Sequence, residues 1–256
     1  MIFLLENFKN TIDFFIRSQL AFSRKNYQEK NEPKEGLFNS EETVLKEEFL
    51  LSKYNFTYLK NNSTKQNYVE NLYILDILDT YFEMNFKEKI KALDIGSKNW
   101  AYSNAEHAFF SKYSNKLELR GIEIDPNRLY SNLYSRKEVA KYYISSLTNT
   151  EYLGEDLCKH HLKYEYITWF LPFIKEYPHI KWGLPLKHFQ PKENLKHAFE
   201  LLKEGGKLFI VNQGEEERDL QKELCKKLNI TFEDKGKIES LFNPYKINRY
   251  GIVINK

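Results

Sequence analysis

Lys91-Ala92-Leu93-Asp94-Ile95-Gly96-Ser97 reads as a short apolar strand that runs out into a single glycine. Further on, Gly121-Ile122-Glu123-Ile124-Asp125 closes a second strand, Leu117–Ile124, on an acid. Between them Ser103, with Glu106 three residues later, predicts a capping box opening a helix through Tyr113. Strand, glycine, helix, strand and acid in that order form the first unit of an open parallel sheet. Such sheets bind ligands outside the carboxyl ends of their strands. There, a glycine lets the backbone approach a ligand, and an acid can accept the hydroxyls of a ribose.

Working outward, Asp125 before Pro126 predicts a helix start at that point. A third strand is expected around Tyr152–Leu153, and a fourth at Tyr164–Leu171. Leu195, Ala198, Phe199 and Leu202 stripe a helix that Gly205–Gly206 should end. Lys207–Asn212 is a fifth strand, and Glu215–Glu217 begin a helix ending near Lys226 and Lys227. Ile230–Asp234 and Arg249–Asn255 follow with no helical pattern between them, which predicts an antiparallel pair. Residues 1–88 read as a helical extension and a possible substrate lid. Phe8, Ile12, Phe15 and Leu20 form one stripe, and Tyr68, Leu72, Leu75 and Phe82 another; both are expected to pack. Asn26–Asn39 is polar and reads as a mobile loop, after which Ser40 caps a helix. Residues 89–256 would form the α/β domain.

Composition narrows the class. A chain of 256 residues with 41% hydrophobic content can bury a core without disulfide or metal staples. With 39 basic and 36 acidic residues, it carries neither a strongly basic arm nor an acidic tail. Ten glycines against 18 Tyr and 19 Phe exclude low-complexity architectures. Cys158 and Cys225 belong to no CxxC pair, which suits a reducing, cytoplasmic setting. No apolar run is long enough to span a bilayer, so no membrane association is expected.

From Lys91 to Lys256 the sequence resembles the class I S-adenosylmethionine-dependent methyltransferases. The resemblance implies a Rossmann-like, seven-stranded, mostly parallel sheet with an antiparallel last strand. It also implies S-adenosylmethionine as cofactor and a methyl transfer to O, N or S of an acceptor. Leu93-Asp94-Ile95-Gly96-Ser97 looks like the family's first motif, with Asp94 near the methionine end and Gly96 and Ser97 in backbone contact. Glu123 matches the acid that accepts the ribose hydroxyls, and Ile124 would flank the adenine. Asp156 resembles the acid near the adenine amine, with Leu157 beside it. Lys98, Asn99 and Trp100 stand where the family commonly has two more glycines, so the loop should widen or reroute. Trp100 is a candidate wall of the cofactor pocket, and Phe170 a further contact.

The fourth strand end should face the transferred methyl. Phe170-Leu171-Pro172-Phe173 has no polar head and no acids, so no metal is expected there. Pro172, Phe173, Trp182, His188, Gln213 and Glu217 are the substrate-side candidates, His188 as a possible general base. The acceptor is expected to be a small molecule rather than RNA. Two other readings stay open. One is a nicotinamide-dependent oxidoreductase; the other is a non-catalytic protein on this fold that binds RNA or protein.

Overall fold

The computed structural model describes residues 2–21, 24 and 26–256. Four helices precede the sheet: α1 (Ile2–Gln19), α2 (Glu41–Tyr54), α3 (Thr57–Asn61) and α4 (Lys65–Tyr81). Then strands and helices alternate. They are β1 (Lys87–Ile95), α5 (Ser103–Lys112), β2 (Ser114–Ile122), α6 (Arg136–Ile144), β3 (Thr150–Leu153), β4 (Tyr164–Phe170), α7 (Glu176–Lys181), α8 (Pro191–Leu201), β5 (Leu202–Gln213) and α9 (Gly214–Lys227). β6 (Phe232–Ile238) and β7 (Arg249–Asn255) end the chain.

The strands form one seven-stranded sheet in the order β3-β2-β1-β4-β5-β7-β6. β7 runs antiparallel to both β5 and β6, and the remaining pairs are parallel. Successive side chains of a strand point to opposite faces, and both faces here are apolar. Ala92, Tyr166, Phe209 and Val253 meet α2, α4 and α5 on one side. Leu93, Ile167, Ile210 and Ile252 meet α8 and α9 on the other. The order in which strands are added switches from one side of β1 to the other between β3 and β4, and Asp94 of β1 pairs with Gly121 on one side and Thr168 on the other. A crevice therefore opens above these strand ends.

Helices α2 to α4 share one apolar cluster with the sheet, and β1 begins at Lys87, inside the segment read as extension. The Tyr68, Leu72 and Leu75 stripe is buried as expected. The other stripe is not. Phe8 is 66% exposed and Phe15 62%, because α1 docks through its polar face. Asn10 Nδ2 donates to the Ile180 carbonyl at 2.8 Å, and Arg17 forks onto Asp125 at 3.1 and 2.9 Å. Nor is the 26–39 segment loose. Lys34 is buried and its Nζ donates to the Ser63 carbonyl at 2.5 Å, while Glu29 accepts from Tyr143.

Four local expectations change. Ser103 is not a cap: α5 starts after Tyr102 without a side-chain cap bond. Glu106 turns inward instead, because the buried indole of Trp100 needs an acceptor. Asp125 caps no helix, since Arg17 holds it. The next helix is α6, entered through a complete Ser135–Glu138 capping box. Gly205–Gly206 lie inside β5, since α8 already stops at Leu201. Gly205 takes φ +71 in the shift that separates the Tyr164–Leu202 and Tyr166–Lys207 pairings. Finally, the loop after Gly96 keeps a glycine-like backbone without the glycines. Lys98 and Trp100 take φ of 55 and 47, a left-handed backbone that glycine would adopt without strain. Trp100 then packs fully buried under Gly121, where an added Cβ would stand 2.8 Å from its ring.

Candidate active site

A cavity of about 1040 Å³ lies over the carboxyl ends of β1, β2, β4 and β5. At its first end Gly96 takes φ +72, and a Cβ built there meets nothing within 4 Å. The backbone is therefore bare toward open space. Ile95, Ile122, Ile124, Leu157 and Trp169 make an apolar slot beside it. Glu123, buried just past β2, lines the same end. Its carboxylate accepts from the Lys98 amide at 2.9 Å, the Asp125 amide at 2.8 Å and Arg136 Nη1 at 2.9 Å. A carboxylate offers about four acceptor positions, so roughly one remains for a ligand. Asp156 lines the cavity as well, and its side chain accepts from the Cys158 amide at 3.0 Å. These residues fit an adenosine-type ligand: an apolar slot for a base, an acid beside it, and a second acid one strand over.

The segment after β4 covers this end. Trp182 lies over both Lys98 and Arg136, with cation-to-ring distances of 5.3 and 5.6 Å. His188 Nδ1 stands 4.0 Å from Asp156, and its ring packs on Phe14 of α1. Trp182 and His188 were expected on the substrate side; the structure places both at this first end, His188 beside Asp156. Burial lowers the pKa of its imidazole.

Asp94, Ser97 and Trp100 line no part of the cavity, against expectation. Ser97 turns its hydroxyl back to the Ile122 carbonyl at 3.0 Å. Asp94 sits behind Tyr102, whose hydroxyl donates to it at 3.0 Å. Thr168 Oγ1 lies 3.3 Å from Asp94 and 2.5 Å from Glu106, and Trp100 Nε1 donates to Glu106 at 2.7 Å. All three polar side chains, Asp94, Glu106 and Thr168, are fully buried. Burial and the neighbouring Glu106 hold Asp94 well above the usual carboxylate range, and burial pushes Glu106 up to about 7. This buried acid pair braces β1 against β4 and α5.

The second end of the cavity lies beyond β4 and β5. Pro172, Phe173, Gln213 and Glu217, the substrate-side candidates, line it, together with Phe170, which was expected at the cofactor. Leu171 turns the chain there at φ +60. Tyr102 meets Phe170 edge-on at 5.3 Å. Sequence reading missed the rest: Glu70 and Tyr73 from α4, Tyr245, and Arg249 from the start of β7. Tyr27 and Glu29 arrive from the segment before α2. No local motif marks them, because each comes from a different part of the chain. Tyr245 donates to Glu70 at 3.2 Å, and Glu217 accepts from the Gln213 amide at 3.1 Å. Burial raises the pKa of both carboxylates.

With this geometry in view, comparison with known proteins gives a consistent fold. No family model matches this sequence, and no curated protein does. Among solved structures, an S-adenosylmethionine-dependent methyltransferase from Aquifex aeolicus superposes with a TM-score of 0.51 at 14% identity, covering 72% of this chain and 90% of its own. A methyltransferase from Pyrococcus furiosus gives 0.49 at 20% identity, covering 71% and 80%. Magnesium protoporphyrin IX methyltransferase from Synechocystis, with S-adenosylmethionine bound, gives 0.48 at 9% identity, covering 86% and 98%. The chain has the class I S-adenosylmethionine-dependent methyltransferase fold. Its antiparallel β7 replaces the sixth parallel strand that a dinucleotide-binding sheet carries in its second half.

Proposed function

We propose that this protein is an S-adenosylmethionine-dependent methyltransferase acting on a small acceptor. The observation that carries the reading is the two-ended cavity. A nucleoside-type grip at Gly96, Glu123, Asp156 and Leu157 opens directly into an aromatic chamber at the ends of β4 and β5. Bound at the first end, S-adenosylmethionine would supply an electrophilic methyl group for direct displacement by an O, N or S of the acceptor. Gly96 admits it by its missing side chain, and Glu123 offers an acceptor to the ribose. Phe170, Phe173 and Tyr102 wall the acceptor and exclude water, so the chain's main contribution is orientation. Glu70 and Glu217 are the carboxylates placed to take the proton an acceptor releases.

The segment before β1 serves as the cover, since Tyr27, Glu29, Glu70 and Tyr73 all line the cavity. This roofing supports a small acceptor over an RNA. Two free cysteines are compatible with a reducing, cytoplasmic setting, and no described helix is long and apolar enough to cross a membrane.

Calorimetry with S-adenosylhomocysteine tests the proposal. The wild type should bind it, and Gly96→Val should weaken it at least tenfold by filling the open space beside the strand end. No binding by the wild type overturns the proposal. Protection from heat by NAD instead would favour an oxidoreductase.

A further inference from the structure

Arg249 is 5% exposed and makes no hydrogen bond or ion pair among the described residues. Its Nε and Nη1 are both buried without partners, yet the side chain lines the cavity. A desolvated guanidinium with no anion in direct contact is expensive to keep. The carboxylates of this end make no direct contact with it: Glu217, near enough for its charge to act on Arg249, accepts from the Gln213 amide, and Glu70 accepts from Tyr245. Tyr73, 2% exposed, also has a buried hydroxyl with no partner. The Tyr245 ring lies 4.5 Å from the Arg249 guanidinium carbon and 5.4 Å from the Tyr73 ring. Stacking of this kind holds the planar fork, leaving its donor edge free for two-point binding of an anion.

We propose that Arg249 and the Tyr73 hydroxyl form an anion site that binds a carboxylate or phosphate group on the methyl acceptor. The acceptor role rests on the methyltransferase reading; the anion site stands without it. Strand order separates this anion from the cofactor. β4 and β5 lie between β1 and β7, so three strand spacings, about 14 Å, part the Gly96 strand from Arg249. The surrounding rings of Tyr73, Tyr245 and Phe170 favour a small aromatic or otherwise largely apolar acid.

The test uses the full chain saturated with S-adenosylhomocysteine and titrated with benzoate, inorganic phosphate and neutral benzamide. Benzoate or phosphate should bind at least tenfold more tightly than benzamide. The better anion of the two identifies carboxylate or phosphate as the group read. Arg249→Gln should erase the preference and Tyr73→Phe should reduce it severalfold. S-adenosylhomocysteine affinity should stay within threefold in both variants. Equal binding of all three probes to the wild type, or a preference that survives Arg249→Gln, overturns the proposal. Should Arg249→Gln fail to fold, an unchanged preference in Tyr73→Phe overturns it instead. If Arg249→Gln weakens S-adenosylhomocysteine tenfold but leaves 5′-methylthioadenosine unchanged, the anion is the cofactor's own carboxylate and the proposal is wrong. An anion preference persisting in a protein that binds no S-adenosylhomocysteine supports the site and refutes the methyltransferase reading alone.

Discussion

Arg136 and Arg249 are buried almost equally, 3% and 5% exposed, at opposite ends of the sheet's carboxyl edge. Arg136 donates to Glu123 at 2.9 Å and lies under Trp182. Arg249 has aromatic neighbours and, among the described residues, no anion in direct contact. At the first end of the cavity the buried cation thus has its carboxylate within the chain, although Arg136 Nε and the Tyr130 hydroxyl stay without partners. At the acceptor end the matching is incomplete, and a ligand must complete it. The difference lies in charge: the first end pairs its buried cation with Glu123, and the second leaves its buried cation without a contacting anion.

Removing each cation tests the contrast most severely. Arg136→Met strands a buried Glu123 carboxylate, and stability should fall by about 3–5 kcal/mol in denaturant unfolding. A change under 1 kcal/mol would show that Glu123 is solvated and the nucleoside end loosely built. Next in size is Gly121→Ala, whose Cβ would press on Trp100 and Ser97 at 2.8 Å. Overpacking this fully buried indole should cost about 1–3 kcal/mol. Wild-type stability in that variant would mean that the turn after Gly96 can yield. Arg249→Met should go the other way. Replacing a buried cation without a contacting anion by an apolar chain should raise the unfolding free energy by roughly 1 kcal/mol. A loss of several kcal/mol would reveal a structural partner and erase the contrast.

The smallest effect concerns the buried pair beneath the cavity. Folded Glu106 holds its proton up to about 7, higher than the unfolded chain would. The folded state therefore binds more protons than the unfolded state between the ordinary carboxylate range and about 7, so this group's contribution to stability falls as pH rises through that window. Glu106→Gln should remove this group's share of the slope, and its stability relative to wild type should improve from pH 5 to pH 8. A difference independent of pH would mean that Glu106 titrates normally.

The nucleoside end was readable because its parts lie close in sequence. Gly96, Glu123, Ile124, Asp156 and Leu157 sit at strand ends that period and spacing mark, and all of them line the cavity. The errors nearby share one cause. Asp94, Ser97 and Trp100 belong to the same motif, but their side chains point into the sheet, and a motif does not say which way a side chain turns. Glu106 was read as a capping residue because serine and glutamate three apart suit a helix start. The indole of Trp100 claimed that carboxylate first. The stripe on α1 was read as a packing face, yet Asn10 and Arg17 dock the helix by the opposite side.

Sequence alone determined the alternation of strands and helices, the antiparallel tail and the glycine and acid at the first two strand ends, because these rest on local periodicity and turn chemistry. Only the tertiary structure brought Tyr73 of α4 beside Arg249 of β7. Nothing in either segment signals the other. The sheet order decides which distant groups share a cavity, and burial decides which of them are left without a partner.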